Sequence, residues 1–325
     1  MAIASDSFRR ARPLLGTFVE IEVSGAAGAR MAAAVEAAFG AIADVHRLMS
    51  FHEADSDVSR LNREAALRPT AVHAWTFRVL EVAADLNRRS NGSFDIALAP
   101  VLQRLGLLPQ TARDRRTGAL FAADSGAGSR DAIELLDEHA VRFHRADVAI
   151  DLGGIAKGFA VDRAVEVLRR FDIPCGIVNA GGDLATFGTN PHRIDIRSPR
   201  NPGRIICSVD VANQALASSA RRFDPFQAED TASSAVIDPA SLRPAHAVDG
   251  VSVRAFLHDR RRTDQARDDL RDGRRRIARA LRRGRACHCT RRQSSDHLHL
   301  ASRGAPCSIN RYFATRSMRP SRRCF

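Results

Sequence analysis

Residues 148–162 read Val-Ala-Ile-Asp-Leu-Gly-Gly-Ile-Ala-Lys-Gly-Phe-Ala-Val-Asp. Before the glycines, the stretch ending in Val148-Ala149-Ile150 is read as a strand over 142–150. Gly153-Gly154 then turns the chain, and Lys157-Gly158 opens a helix over 159–170, with Val161, Ala164, Val165 and Leu168 on one face. Such a turn leaves backbone N–H groups unpaired beside the positive end of a helix, where an anion is held. Lys157 is the only lysine in a chain that otherwise uses arginine, which points to a compact ammonium at this place.

A strand over 175–178 runs into Asn179-Ala180-Gly181-Gly182-Asp183, a second glycine turn, this one carrying a carboxylate. Two such turns at consecutive strand ends either bracket a diphosphate or simply pack helix on strand. The residues alone leave both readings open. The pattern is neither a Walker loop nor a G-x-G-x-x-G fingerprint.

Outward from there, residues 14–23 alternate as a strand entered through Gly16. Val35, Phe39, Ile42, Val45 and Met49 recur at helical spacing, and a second helix covers 75–89, stopping at Asn91-Gly92. Short strands are expected at 193–197 and 206–211. No internal repeat is found. The fold class is α+β, with mixed sheets and flanking helices.

The formal net charge of +13 suggests nucleic acid or an anionic surface until its location is considered. Residues 256–325 hold 20 Arg, no Lys and six acids, leaving 30 bases and 31 acids before them. The first 255 residues are therefore near neutral, and the excess belongs to the tail. Cys175 and Cys207 sit among apolar residues as ordinary thiols, while Cys287, Cys289, Cys307 and Cys324 are all in the tail. No run resembles a transmembrane helix, and residues 1–12 lack the apolar core of a secretory signal, so a cytoplasmic setting is expected.

Seven pieces occur in a fixed order. They are Leu15-Gly16-Thr17; Met49-Ser50-Phe51 followed by Ser59-Arg60-Leu61-Asn62; Gly92-Ser93-Phe94-Asp95-Ile96 with Pro100; Asp151 to Asp162; Asn179 to Asp183; Ala217-Ser218-Ser219; and Ile237-Asp238-Pro239. In this order the chain resembles the FAD:protein FMN transferases, the ApbE-like family, from about residue 10 to 255. The resemblance implies an ApbE-like flavin-transferase domain over 1–255 and a non-family tail over 256–325. It also implies magnesium (Mg²⁺) dependence and transfer of FMN from FAD to a Thr or Ser hydroxyl of a target protein, with AMP leaving. Carried over position by position, it places FAD contacts at Leu15, Phe51, Ser93, Phe94, Asp95, Asp151, Lys157 and Ile237. It places one metal contact, a backbone carbonyl, at Gly154. Read without the family, Asp95 and Asp151 also suit turn caps, and Phe51 and Ile237 suit core packing.

Three departures stand out. Leu15 replaces a frequent Met, and Ala235 stands where the family usually has His, two residues before Ile237. A late Ala-Asp-Ala-Leu-Thr type segment, whose Asp and Thr complete the family's metal site, is missing after Val253. Back-translated one nucleotide later, residues 255–270 permit Pro-Ser-Cys-Met-Ile-Ala-Asp-Ala-Leu-Thr-Lys-Leu-Val-Met-Thr, which carries the missing segment in its place. The expectation is a frameshifted translation after about Ala255, with a disordered tail and an impaired enzyme. On that reading the zinc-like Cys287-His288-Cys289 with His297 and His299 is out-of-frame noise. The competing reading is a protein without catalysis, binding flavin alone or, through its basic tail, nucleic acid.

Overall fold

Alternation along Thr17–Ser24 puts Val19, Ile21 and Val23 on one face, and all three are buried. Each contributes about 1.5–3 kcal/mol by leaving water. A computed structural model of the chain describes residues 7–110, 131–197, 203–218, 236–244, 251–256 and 298–300. In chain order the described strands are β1 Ser7–Leu14, β2 Thr17–Ser24, β3 Thr70–Ala71, β4 Ile133–Leu135, β5 Ala140–Phe143, β6 Cys175–Ala180 and β7 Asp183–Phe187. They continue with β8 His192–Arg197, β9 Ile205–Val211, β10 Ala215–Ala217, β11 Ile237–Asp238, β12 Arg243–Pro244, β13 Val251–Phe256 and β14 Leu298–Leu300. The helices are α1 Gly28–Met49, α2 Asp57–Glu64, α3 Ala74–Arg89, α4 Ala99–Arg104 and α5 Ala156–Arg170.

Seven strands form one antiparallel sheet in the order β1-β2-β6-β7-β10-β13-β14. Helix α5 packs on β6 and β7, and α1 packs on α5 and on β1 and β2. The apolar stripes that the spacing predicts meet in this layer: Val35, Phe39, Ile42 and Val45 of α1 are buried together with Val161, Ala164, Val165 and Leu168 of α5. Small sheets β3-β5-β4, β8-β9 and β11-β12 stand beside it. Leu184, Ile196, Val209, Val211 and Leu216 make a second apolar cluster.

Two sequence expectations are corrected. The strand over 14–23 is a hairpin, because Leu15 and Gly16 take φ of 57° and 69° and reverse the chain between β1 and β2. The strand over 142–150 stops at Phe143. The chain then leaves the sheet through a turn tied by an Arg145–Asp147 ion pair. The other expected elements form within a few residues of their predicted limits. Helix α3 ends where Asn91 and Gly92 take φ of 52° and 83°.

Strand β13 runs through Phe256, across the expected domain limit, and Leu298–Leu300 of the tail pairs with Val251–Val253. The expected disorder of the remaining tail lies outside the described residues, as do Ser219 and Ala235. Among the described residues no helix is long and apolar enough to cross a membrane.

Candidate active site

Two glycine turns and one helix start build the site. In the first turn, Gly153 donates its N–H to Asp151 Oδ2 at 3.1 Å. A Cβ on Gly153 would stand 2.9 Å from that oxygen, so only glycine lets the carboxylate fold over the turn. Gly154 is exposed, and its nearest neighbour is the Phe94 ring, 3.8 Å from where a Cβ would be. Helix α5 then begins with Ile155 at its cap and no side-chain capping bond. Leu152 O accepts from Ile155 and Ala156 at 2.9 and 2.8 Å. The amides of Lys157 and Gly158 and the Gly154 carbonyl have no hydrogen-bond partner among the described residues. Donors and dipole are thus left facing outward, as an anion requires.

The second turn joins β6 to β7. Gly181 and Gly182 take φ of 62° and 98°, and Asn179 Oδ1 accepts from Gly182 N at 3.0 Å. Pairing of Val19 with Ala180 brings the β1–β2 tip alongside, so Thr17 packs on Gly181 and Leu15 sits at the same end. Ser218 closes the other flank, its N–H on Gly182 O at 2.9 Å. Asp183 follows, facing Lys157. Neither side chain makes a hydrogen bond or ion pair among the described residues.

Both carboxyls are pushed above the ordinary aspartate range by burial. For Asp151 the Gly153 amide, His52 and the Leu152 amide oppose that push; for Asp183 the opposing group is Lys157. Two half-buried carboxyls thus flank the two glycine turns, one bonded to the Gly153 amide and one acted on by Lys157.

Phe94 enters through the loop after α3: Ser90 Oγ accepts from Phe94 N, and Asn87 Nδ2 donates to Phe94 O, both at 2.9 Å. Asp95 accepts from Ala97 N at 2.8 Å, the turn-cap role, while Ser93 is exposed at the bend. Asp151 N donates to Ile96 O at 2.9 Å, which locks this loop to the first glycine turn. Phe51 is buried, its ring edge-on to His52 at 6.4 Å, and His52 is the imidazole that acts on Asp151. Phe51, Phe94, Asp95, Asp151, Gly154 and Lys157 are thus connected, and Leu15 joins through the Thr17–Gly181 contact. Ile237 is half-buried in the separate β11–β12 sheet, paired with Pro244.

Sequence reasoning passed over two residues that the structure sets against these turns: His52, which acts on Asp151, and Asp183, which faces Lys157. Asp183 closed the second glycine turn. His52 carried no signal beyond its place after Phe51.

A metal fits only in part. Among the described residues no three His, Cys, Asp or Glu side chains gather. The candidate donor is the backbone carbonyl of the exposed Gly154. That suits a hard cation sharing its shell with a diphosphate and water, not an all-protein cage.

The fold is α+β, and two glycine turns and an uncapped helix start carry the candidate site. The family model described as the ApbE family matches residues 15–260, and the chain belongs to that family. A curated relative, the FAD:protein FMN transferase of Vibrio cholerae, is 27% identical over 211 residues, covering 62% of this chain and 62% of that protein. The FAD:protein FMN transferase of Treponema pallidum is 26% identical over 268 residues, covering 76% and 74%. Among solved structures, the ApbE protein of Thermotoga maritima superposes with a TM-score of 0.66 at 24% identity, over 77% of this chain and 82% of that one. The flavin transferase ApbE of Vibrio cholerae gives 0.66 at 22%, over 92% and 98%. At these identities the structures speak for the fold alone.

Proposed function

We propose that this chain is an FAD:protein FMN transferase, moving FMN from FAD to a Thr or Ser hydroxyl of a target protein with release of AMP. The observation that carries the reading is the uncapped helix start, where the Lys157 and Gly158 amides make no hydrogen bond among the described residues and the Lys157 ammonium faces Asp183. The amides and the ammonium neutralise a diphosphate at the helix start. Phe94 and Phe51 supply apolar walls, and the β1–β2 tip with Leu15 supplies a third; Ser93, Asp95 and Ile237 are proposed as the remaining FAD contacts. Attack by a hydroxyl on a diphosphate is in-line transfer, governed by positioning and charge neutralisation. Gly154 is the residue that would hold Mg²⁺, through its backbone carbonyl, and the ion would polarise the phosphoryl oxygens when bound.

The imidazole usual before Ile237 and the late carboxylate segment are both absent from the sequence, so the chain as written is an impaired transferase in this reading. The cytoplasmic setting belongs to the same proposal. Incubation with FAD, Mg²⁺ and an acceptor protein, followed by in-gel flavin fluorescence, tests it. Flavin bound without transfer supports a binding protein instead. Salt-steep DNA affinity without flavin binding supports the basic tail as the active part.

A further inference from the structure

One buried amide links the elements that carry the site. The Asn62 side chain donates from Nδ2 to Ile150 O at 2.9 Å and accepts at Oδ1 from Ile150 N at 2.8 Å. It thereby pairs with both backbone groups of one residue as a neighbouring strand would, at the point where no strand forms. Ile150 is fully buried and Asn62 is 8% exposed, so water replaces neither bond. The next residue is Asp151, whose own N–H reaches Ile96 O. Chain direction at Ile150 thus fixes the carboxylate over Gly153 and the loop carrying Phe94 and Asp95.

Helix α2 is itself held stiffly. Ser56 caps it, accepting from Ser59 N at 3.0 Å and donating to Ser50 O at 2.6 Å. Buried Asp57 accepts from His73 N and Thr76 Oγ1 at 2.9 and 2.7 Å, and pairs with Arg60. At its first turn α2 holds the Ser50–Phe51 chain, with Ser59 Oγ on Phe51 O at 3.4 Å. Near its end it holds Ile150. The helix thereby ties the Ser50–Phe51 chain to Ile150.

We infer that Asn62 is a positioning residue for Asp151, clamping the Ile150 peptide so that the carboxylate and the Phe94–Asp95 loop meet the ligand in one register. The inference rests on the proposed FAD site and adds a group that touches no ligand. Supporting residues of this kind cost about tenfold to a hundredfold in affinity when removed.

The test is a double-mutant cycle on FAD affinity with the full chain. Asn62→Ala is expected to weaken FAD binding by about tenfold to a hundredfold, and Asn62→Ala with Asp151→Ala to bind no worse than Asp151→Ala alone. A merely destabilising change would instead add in full, and full additivity overturns the inference, as does wild-type affinity in Asn62→Ala. Asn62→Asp keeps the shape and the acceptor but opposes an oxygen to Ile150 O, so it should lose affinity in a chain that still folds; unchanged affinity there counts against the clamp. Amide exchange without flavin separates this failure from failure of the FAD reading. Faster exchange at Ile150 and Asp151 in Asn62→Asp, with α1 unchanged, supports the clamp even if wild type binds no FAD; unchanged exchange overturns it.

Discussion

Thr17 occupies the space that a Cβ on Gly181 would need: its Oγ1 is 2.6 Å from that position. Gly182 is crowded the same way by Ser218 Oγ, also at 2.6 Å. Three strand ends are therefore interlocked through two residues that have no side chain and hold φ of 62° and 98°.

Gly181→Ala and Gly182→Ala should each destabilise the fold by about 1–3 kcal/mol, since both strain and overlap oppose them. Gly154→Ala meets only ordinary contact with Phe94 and should stay within about 0.5 kcal/mol of wild type. Urea midpoints for the three variants check the order. A Gly154→Ala protein less stable than Gly181→Ala contradicts it.

Asp151→Ala and Lys157→Ala should weaken FAD about tenfold or more, the worth of a charge-assisted bond, while leaving the melting temperature near that of wild type. Because Lys157 is the chain's single lysine, it also reports on itself. Amine-reactive labelling of its side chain, read by peptide mass, should slow when FAD is added. Equal FAD affinity in wild type and both variants, by fluorescence quenching, refutes the placement.

The legible part of the site was the part written in local chemistry. Glycine pairs beside a lone lysine announced a helix start fit for an anion, and helical spacing announced α1, α3 and α5. The family's motif order supplied the other candidate positions. What stayed hidden was non-local. The sequence shows Asn62 as one polar residue on a short helix; that its amide replaces a strand for Ile150, 88 residues away, is a product of packing. The same holds at 144–150, where Val148 and Ile150 suited a strand but no strand pairs with them among the described residues. Leu15 misled for a different reason. A leucine at φ 57° runs against intrinsic preference, so alternation read straight through the turn.

Asp183→Asn should raise stability at neutral pH by a few degrees of melting temperature, with the gain fading on acidification. Burial raises the Asp183 carboxyl, and Lys157 opposes only part of that rise. A raised acid holds its proton more tightly in the fold than in the open chain. It therefore favours folding below the ordinary aspartate range, and that contribution disappears as pH climbs through the raised value. Above it, wild type carries a desolvated charge that the amide lacks. Melting curves across pH read the crossover. A gain that is constant with pH, or largest in acid, excludes burial of this carboxyl as its source. A gain at neutral pH that comes with lost flavin transfer would mark the charge as kept for function at a cost in stability.

Restoring the alternative frame after about Ala255 should recover transferase activity. Gly154 offers Mg²⁺ a neutral carbonyl, and Asp151 already folds back on the Gly153 amide. A hard cation with few anionic protein ligands is held mainly by water and the diphosphate, so its affinity falls and the in-line geometry loosens. The restored segment brings an Asp and a Thr of the kind that complete the family's metal site. Its effect should therefore appear first as a lower Mg²⁺ requirement, and only then as a higher maximal rate. AMP release and flavin transfer, measured for both versions across a Mg²⁺ titration, decide the matter. If the chain as written matches the restored version at low Mg²⁺, the missing carboxylate is not what limits it. Resequencing the gene across the Ala255 codon tests the premise directly, and an unbroken frame there would leave the tail as a true part of the protein.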